Sequence, residues 1–89
     1  MLLQQGKVDG YDSDRGIVKF TMLDGDRTVL CAVTTAAMDD LEASRNSGPE
    51  RVEQFMRLRE KIEARASSKF EEHGEINKVV MLRSNDFFK

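Results

Sequence analysis

Two runs of alternating apolar residues, joined at an Asp-Gly step, constrain this chain more than any other feature. Val18, Phe20 and Met22 mark one face of a strand over Ile17–Met22, and Val29, Cys31 and Val33 mark one face of a second over Arg27–Val33. Period-two alternation is the mark of a strand buried on one side. Between them lies Leu23-Asp24-Gly25-Asp26. Asp-Gly favours a tight type I′ turn, because both central residues must accept positive φ. A turn centred on Asp24-Gly25 sets Phe20 opposite Val29 and Val18 opposite Cys31, so the two apolar faces coincide. An antiparallel hairpin is therefore the expected nucleus of the fold.

Two helices follow. Thr34 is placed to cap a short one over Thr35–Ser44, with Ala36, Ala37, Met38 and Leu41 to bury. Arg45-Asn46-Ser47-Gly48 reads as a loop, and Pro49 suits the first position of a long helix. On that helix Val52, Phe55, Met56, Ile62, Ala66 and Phe70 fall within one arc about 120° wide. Gly74 is its natural stop, with His73 in the last turn. The run Ile76–Leu82, centred on Val79-Val80-Met81-Leu82, predicts a further strand, and Asp86-Phe87-Phe88-Lys89 is a short tail that can dock two aromatics. Residues 1–16, with Gly6, Gly10, Gly16 and three aspartates, read as weakly structured, with room for a short edge strand at Leu2–Gln5 or Lys7–Asp9. Strands and helices are segregated in this order. The expected class is α+β, with an antiparallel sheet, a β-hairpin, one short and one long helix and a further C-terminal strand.

Eighty-nine residues allow a single domain, here 1–89. No apolar run approaches the 18 or so residues of a membrane span, so no membrane partner is expected. Only Met1-Leu2-Leu3 precedes Gln4, too short for the apolar core of a signal peptide, which makes the cytoplasm the expected location. A net charge of −2 and a pI near 5.4 argue against a nucleic-acid partner, whose binding domains are usually basic.

Several stretches together resemble the small bacterial proteins of the domain of unknown function 1488 family. They are Tyr11-Asp12-Ser13-Asp14-Arg15-Gly16-Ile17-Val18-Lys19-Phe20, the Asp-Gly turn, Cys31-Ala32-Val33-Thr34 leading into Ala37-Met38-Asp39-Asp40-Leu41, Ile62-Glu63-Ala64-Arg65-Ala66, and Val80-Met81-Leu82-Arg83-Ser84-Asn85-Asp86-Phe87. The resemblance runs from about Tyr11 to Phe87, and Met38 stands where a leucine is expected. It implies a small bacterial α+β domain. It transfers no catalytic residue, because the family has no established activity.

The residues themselves offer little for catalysis. Cys31 is the one thiol and His73 the one histidine, 42 positions apart. Nucleophilic cysteine chemistry needs the thiolate beside a base. Cys31 instead alternates onto the apolar face of its strand, where a free cysteine packs as a small hydrophobe. A zinc site needs three or four such ligands. Asp12-Ser13-Asp14-Arg15-Gly16 lacks the full loop and closing glutamate of an EF-hand, and no glycine-rich phosphate loop occurs. No catalytic residue, metal or cofactor is expected.

Two features of the long helix remain. Arg57, Lys61, Arg65 and Lys69 recur every four residues and form a ridge about 18 Å long. Such a ridge could follow phosphates or an acidic surface, although a solvated charged face accounts for it as well. Arg59 falls inside the apolar arc, where an arginine must be paired, and Glu63 is the partner in reach. Its alternative role is to bind an anion or a partner. These five residues are the candidate binding set. The expectation is a non-enzymatic domain acting through contacts with an unknown protein partner or with its own second copy, using apolar surface left over on the helix arc. A nucleic-acid-associated regulator that uses the ridge is the alternative.

Overall fold

A computed structural model of the chain describes residues 3–42, 50–75 and 78–88. Its elements are β1 (Gln4–Asp12), β2 (Ile17–Asp24), β3 (Arg27–Thr34), α1 (Thr35–Glu42), α2 (Arg51–His73), β4 (Val80–Leu82) and α3 (Ser84–Phe87). The strands form one sheet in the order β1-β2-β3-β4. The architecture is α+β.

The hairpin forms with a register two residues away from the expected one. Asp24 pairs with Arg27, Met22 with Val29, Phe20 with Cys31 and Val18 with Val33. The loop residues are thus Gly25 and Asp26, not Asp24 and Gly25. Gly25 has φ +64°, while Asp26 keeps an ordinary φ. Glycine at the first central position is the preference of a II′ turn, so the same residues read as Gly-Asp instead of Asp-Gly. A shift of two preserves which side chains share a face, and the core is unchanged.

Over residues 3–16 the expectation of weak structure is corrected, while Met1 and Leu2, the start of one expected edge strand, lie outside the described residues. β1 runs nine residues along β2. Its ladder is broken by register shifts between Gln5 and Val8 and between Val8 and Gly10, which is why no clean alternation appears in its sequence. At Gly6 the strands approach so closely that an added Cβ would run into the Thr21 carbonyl and lie 2.7 Å from Thr21 Oγ1.

The sheet is mixed, not purely antiparallel, because β4 pairs parallel to β3 (Cys31 with Val80, Val33 with Leu82). The cause lies in α2. Its 23 residues carry the chain back to the end of the sheet where β3 starts, and Glu75 there pairs with Arg27. A strand that begins beside the start of β3 must run in the same direction. The expected strand start, Ile76, lies outside the described residues, as do Pro49, the loop 45–48 and Ser44 of the expected short helix. The final turn forms α3, which docks Phe87 against the core and leaves Phe88 half exposed.

One core joins all the elements. Val18, Phe20, Val29, Cys31, Phe55, Ile62, Ala66, Val80 and Leu82 belong to it, together with Met22, Val33, Ala37, Met38, Leu58 and Leu3. Phe20 and Phe55 meet with ring centroids 4.9 Å apart, linking sheet to helix. Met38 is fully buried, filling the place a leucine would take. Thr34 Oγ1 accepts the Ala37 N–H at 3.1 Å and caps α1.

The buried stripe of α2 is turned by about 40° from the expected arc. Met56 is half exposed, while Arg51, Gln54 and Leu58 are buried. The polar pair can enter because α1 supplies acceptors. Arg51 donates to Asp39 (2.7 Å) and to Gln54 Oε1 (2.8 Å), and Gln54 Nε2 donates to Asp39 (3.0 Å) and Glu42 (3.1 Å). Burial of such groups is tolerated only with their bonds made.

Candidate functional site

The five candidate cations of α2 are drawn into contacts within the chain, with one exception. Arg57 makes a two-pronged contact with Glu42, at 2.9 and 3.1 Å. That contact, first of all, holds the Glu42 carboxyl below its usual range. Arg65 Nε donates to the Asp86 carbonyl at 2.5 Å. Lys69 donates to the Met81 carbonyl at 2.6 Å and to the Asp86 carboxylate at 3.1 Å. Burial pushes the Asp86 carboxyl up. The Arg83 N–H, Lys69 and Arg65 outweigh that and hold it below its usual range. Lys61 is exposed and pairs with no described residue. The ridge therefore fastens α1 and the C-terminal turn to α2.

Arg59 is paired as its position requires. Its Nε donates to Glu63 at 2.8 Å and its Nη2 to the Gly6 carbonyl at 3.2 Å, and its guanidinium lies 6.0 Å from the centre of the Phe55 ring. Glu63 also accepts from Gln5 Nε2 at 2.9 Å. This group ties β1 to α2. Cys31 is buried on the core face, and burial first, then the charge of Glu63, pushes its thiol up to about 12. His73 is exposed at the end of α2 beside Glu72. Asp12 accepts the N–H groups of Asp14 and Arg15, which makes the Asp-Ser-Asp sequence an aspartate turn.

Most of the helix arc lies under the sheet, which leaves Met56 half exposed, and further apolar surface remains. It lies on the opposite face of the sheet. Lys19 pairs with Ala32 and Ala32 with Met81, so these side chains share one face, with Ile17, Thr21 and Leu30 alternating onto it. Ile17 and Ala32 are buried there, whereas Leu30 is 47% exposed. A groove of about 130 Å³ runs over Ile17, Ala32, Leu30, Val79 and Met81, bordered by Asp9, Arg15 and Lys19. Among the described residues, none from a helix lines it.

A second cavity adjoins the groove. It is a cleft of about 380 Å³ with Val79, Val80 and Met81 as its apolar lining and Arg15, Lys69 and Arg83 as its charges. The two cavities share Arg15, Val79 and Met81. Sequence reasoning missed Arg15 and Arg83, which come from a turn and from the residue after β4. Only the fold brings them to Lys69. Ile17, Leu30 and Ala32 were readable as apolar residues on the wrong face of their strands.

The family model described as "Protein of unknown function (DUF1488)" matches residues 5–81. The chain belongs to the DUF1488 family. The match starts nearer the N-terminus than the resemblance did and stops before Arg83–Phe87. A crystal structure of a DUF1488 protein of unknown function from Shewanella loihica PV-4 is similar in fold. The TM-score is 0.73 at 17% identity, over 89% of this chain and 92% of that one. No curated protein matches the chain. Among the described residues of this DUF1488 chain, no helix is long and apolar enough to cross a membrane.

Proposed function

We propose that this DUF1488 domain is non-enzymatic and acts by protein–protein contact through the uncovered face of its sheet, with a second copy of itself as the partner. The carrying observation is that face: all three helices pack into one core on the other side, while Leu30 stands 47% exposed beside the groove. Contiguous apolar surface rimmed by charge is the usual mark of an interaction site. The rim carries both signs, Asp9 against Arg15 and Lys19. A two-fold axis through the face brings the same patch of both copies together, so a rim of both signs offers self-complementary charge. The protonated, buried Cys31 supports a role without nucleophilic catalysis. The nucleic-acid alternative gains no support from the ridge, since Arg57, Arg65 and Lys69 are engaged within the chain.

Light scattering coupled to gel filtration tests the reading. The expected mass is twice the 10.1 kDa of one chain, returning to one chain in Leu30→Glu. A wild-type monomer at high concentration, or a dimer untouched by Leu30→Glu, overturns it.

A further inference from the structure

The joined cavities have opposite characters. The cleft end gathers Arg15, Lys69 and Arg83 from three separate parts of the chain, and no carboxylate lines it among the described residues. Lys69 is already held by Asp86 and the Met81 carbonyl, which fixes its ammonium at the wall. Arg15 is 77% exposed, with only a 3.8 Å approach to Asp12, and Arg83 is exposed. An exposed pair at that distance contributes little, so both guanidinium groups can turn to an incoming anion. The groove end is largely apolar, with Asp9, Lys19 and the shared Arg15 at its border.

We infer that these two adjoining cavities together bind a small amphipathic anion, a carboxylate carrying an unbranched alkyl chain. The carboxylate sits in the cleft among Arg15, Lys69 and Arg83, and the chain crosses Val79 and Met81 to lie on Ile17, Ala32 and Leu30. Three cations line the cleft without a carboxylate, whereas Asp9 offsets one of the two cations at the groove, and this difference favours the carboxylate in the cleft. Arginine suits the head group because its fork matches a carboxylate with two parallel hydrogen bonds. Apolar burial of the chain adds to this in proportion to its length. The inference goes beyond the pairing of copies. It is read by bound ligand, whereas pairing is read by mass.

The test is titration of the intact protein with octanoate, followed by amide chemical shifts and calorimetry, with 1-octanol and acetate as controls. The expected result is saturable octanoate binding with a dissociation constant below about 1 mM. Shifts should centre on Ile17, Leu30, Ala32, Val79 and Met81, and both controls should bind at least about tenfold more weakly. Arg15→Glu with Arg83→Glu, both surface changes, should weaken octanoate by about tenfold or more while leaving the circular dichroism spectrum unchanged. Lack of saturation, octanol binding as tightly as octanoate, shifts elsewhere on the molecule, or an unaffected double variant would each overturn the inference. A dimer that dissociates as octanoate fills the groove supports it, and a monomeric wild type that binds octanoate leaves it standing while removing the pairing reading.

Discussion

The two faces of the sheet are built from the same strands by opposite rules. On the inner face the sheet packs against the helices in one core, and Val18, Phe20, Val29, Val33, Val80 and Leu82 are buried to 1% exposure or less. On the outer face Ile17 and Ala32 are buried as well, but Leu30 and Met81 remain partly exposed. The inner face determines which chain folds this way. The outer face is spared that task, so its residues are free to serve contact and binding.

The contrast can be broken or sharpened by substitution. Phe55→Ala empties the centre of the inner face and should cost about 3–5 kcal/mol, read from chemical denaturation. A loss below about 1 kcal/mol would mean that the inner face tolerates voids like an outer one. Gly6→Ala should cost about 1–3 kcal/mol, because a methyl group meets the Thr21 backbone at the bulge. An unaffected melting temperature would show that β1 yields freely and is not fixed by that approach.

Cys31 tests the inner face chemically. Its thiol should resist labelling in the native protein at pH 8, and rapid labelling would contradict its burial. Its pKa rises from 9.0 to about 12 on folding. The unfolded thiol therefore ionises first, so its contribution is fully present below pH 9 and is lost as pH rises toward 12. Stability should fall between about pH 9 and 11 in the wild type and fall less in Cys31→Ala. The smallest effect belongs to the outer face. Leu30→Glu, expected to abolish pairing, should change stability by no more than about 0.5 kcal/mol when compared at a dilution where the wild type is unpaired. A larger loss would make Leu30 part of the fold's support.

These differences also explain what could be read in advance. The hairpin and the core of α2 follow periods of two and 3.6, which are properties of consecutive residues, and they were legible. β1 was not, because its bulges destroy the period and its edge position demands few apolar side chains. The II′ turn was missed by one position, since Asp24-Gly25 and Gly25-Asp26 are both acceptable turn pairs and the ladder chooses between them. The direction of β4 depends on where α2 delivers the chain, a matter of helix length and of Glu75 meeting Arg27. On α2, Glu63 was identified as the partner of Arg59 from spacing alone, because i,i+4 neighbours must meet. The cleft was invisible because Arg15, Lys69 and Arg83 belong to no common period.

The parallel seam between β3 and β4 sets an order of assembly. β1, β2 and β3 follow one another through short turns, so each finds its neighbour after closing only a few residues. Cys31 meets Val80 only after the intervening 48 residues have been brought round, and the entropy of that closure is larger. With three residues of ladder to offset it, β4 is the last strand to join and the first to leave. Native-state hydrogen exchange should find its amides opening ahead of those in β2, and equal protection of the two strands would refute this order. The cleft, whose wall is β4, would then exist only in molecules whose last strand has closed.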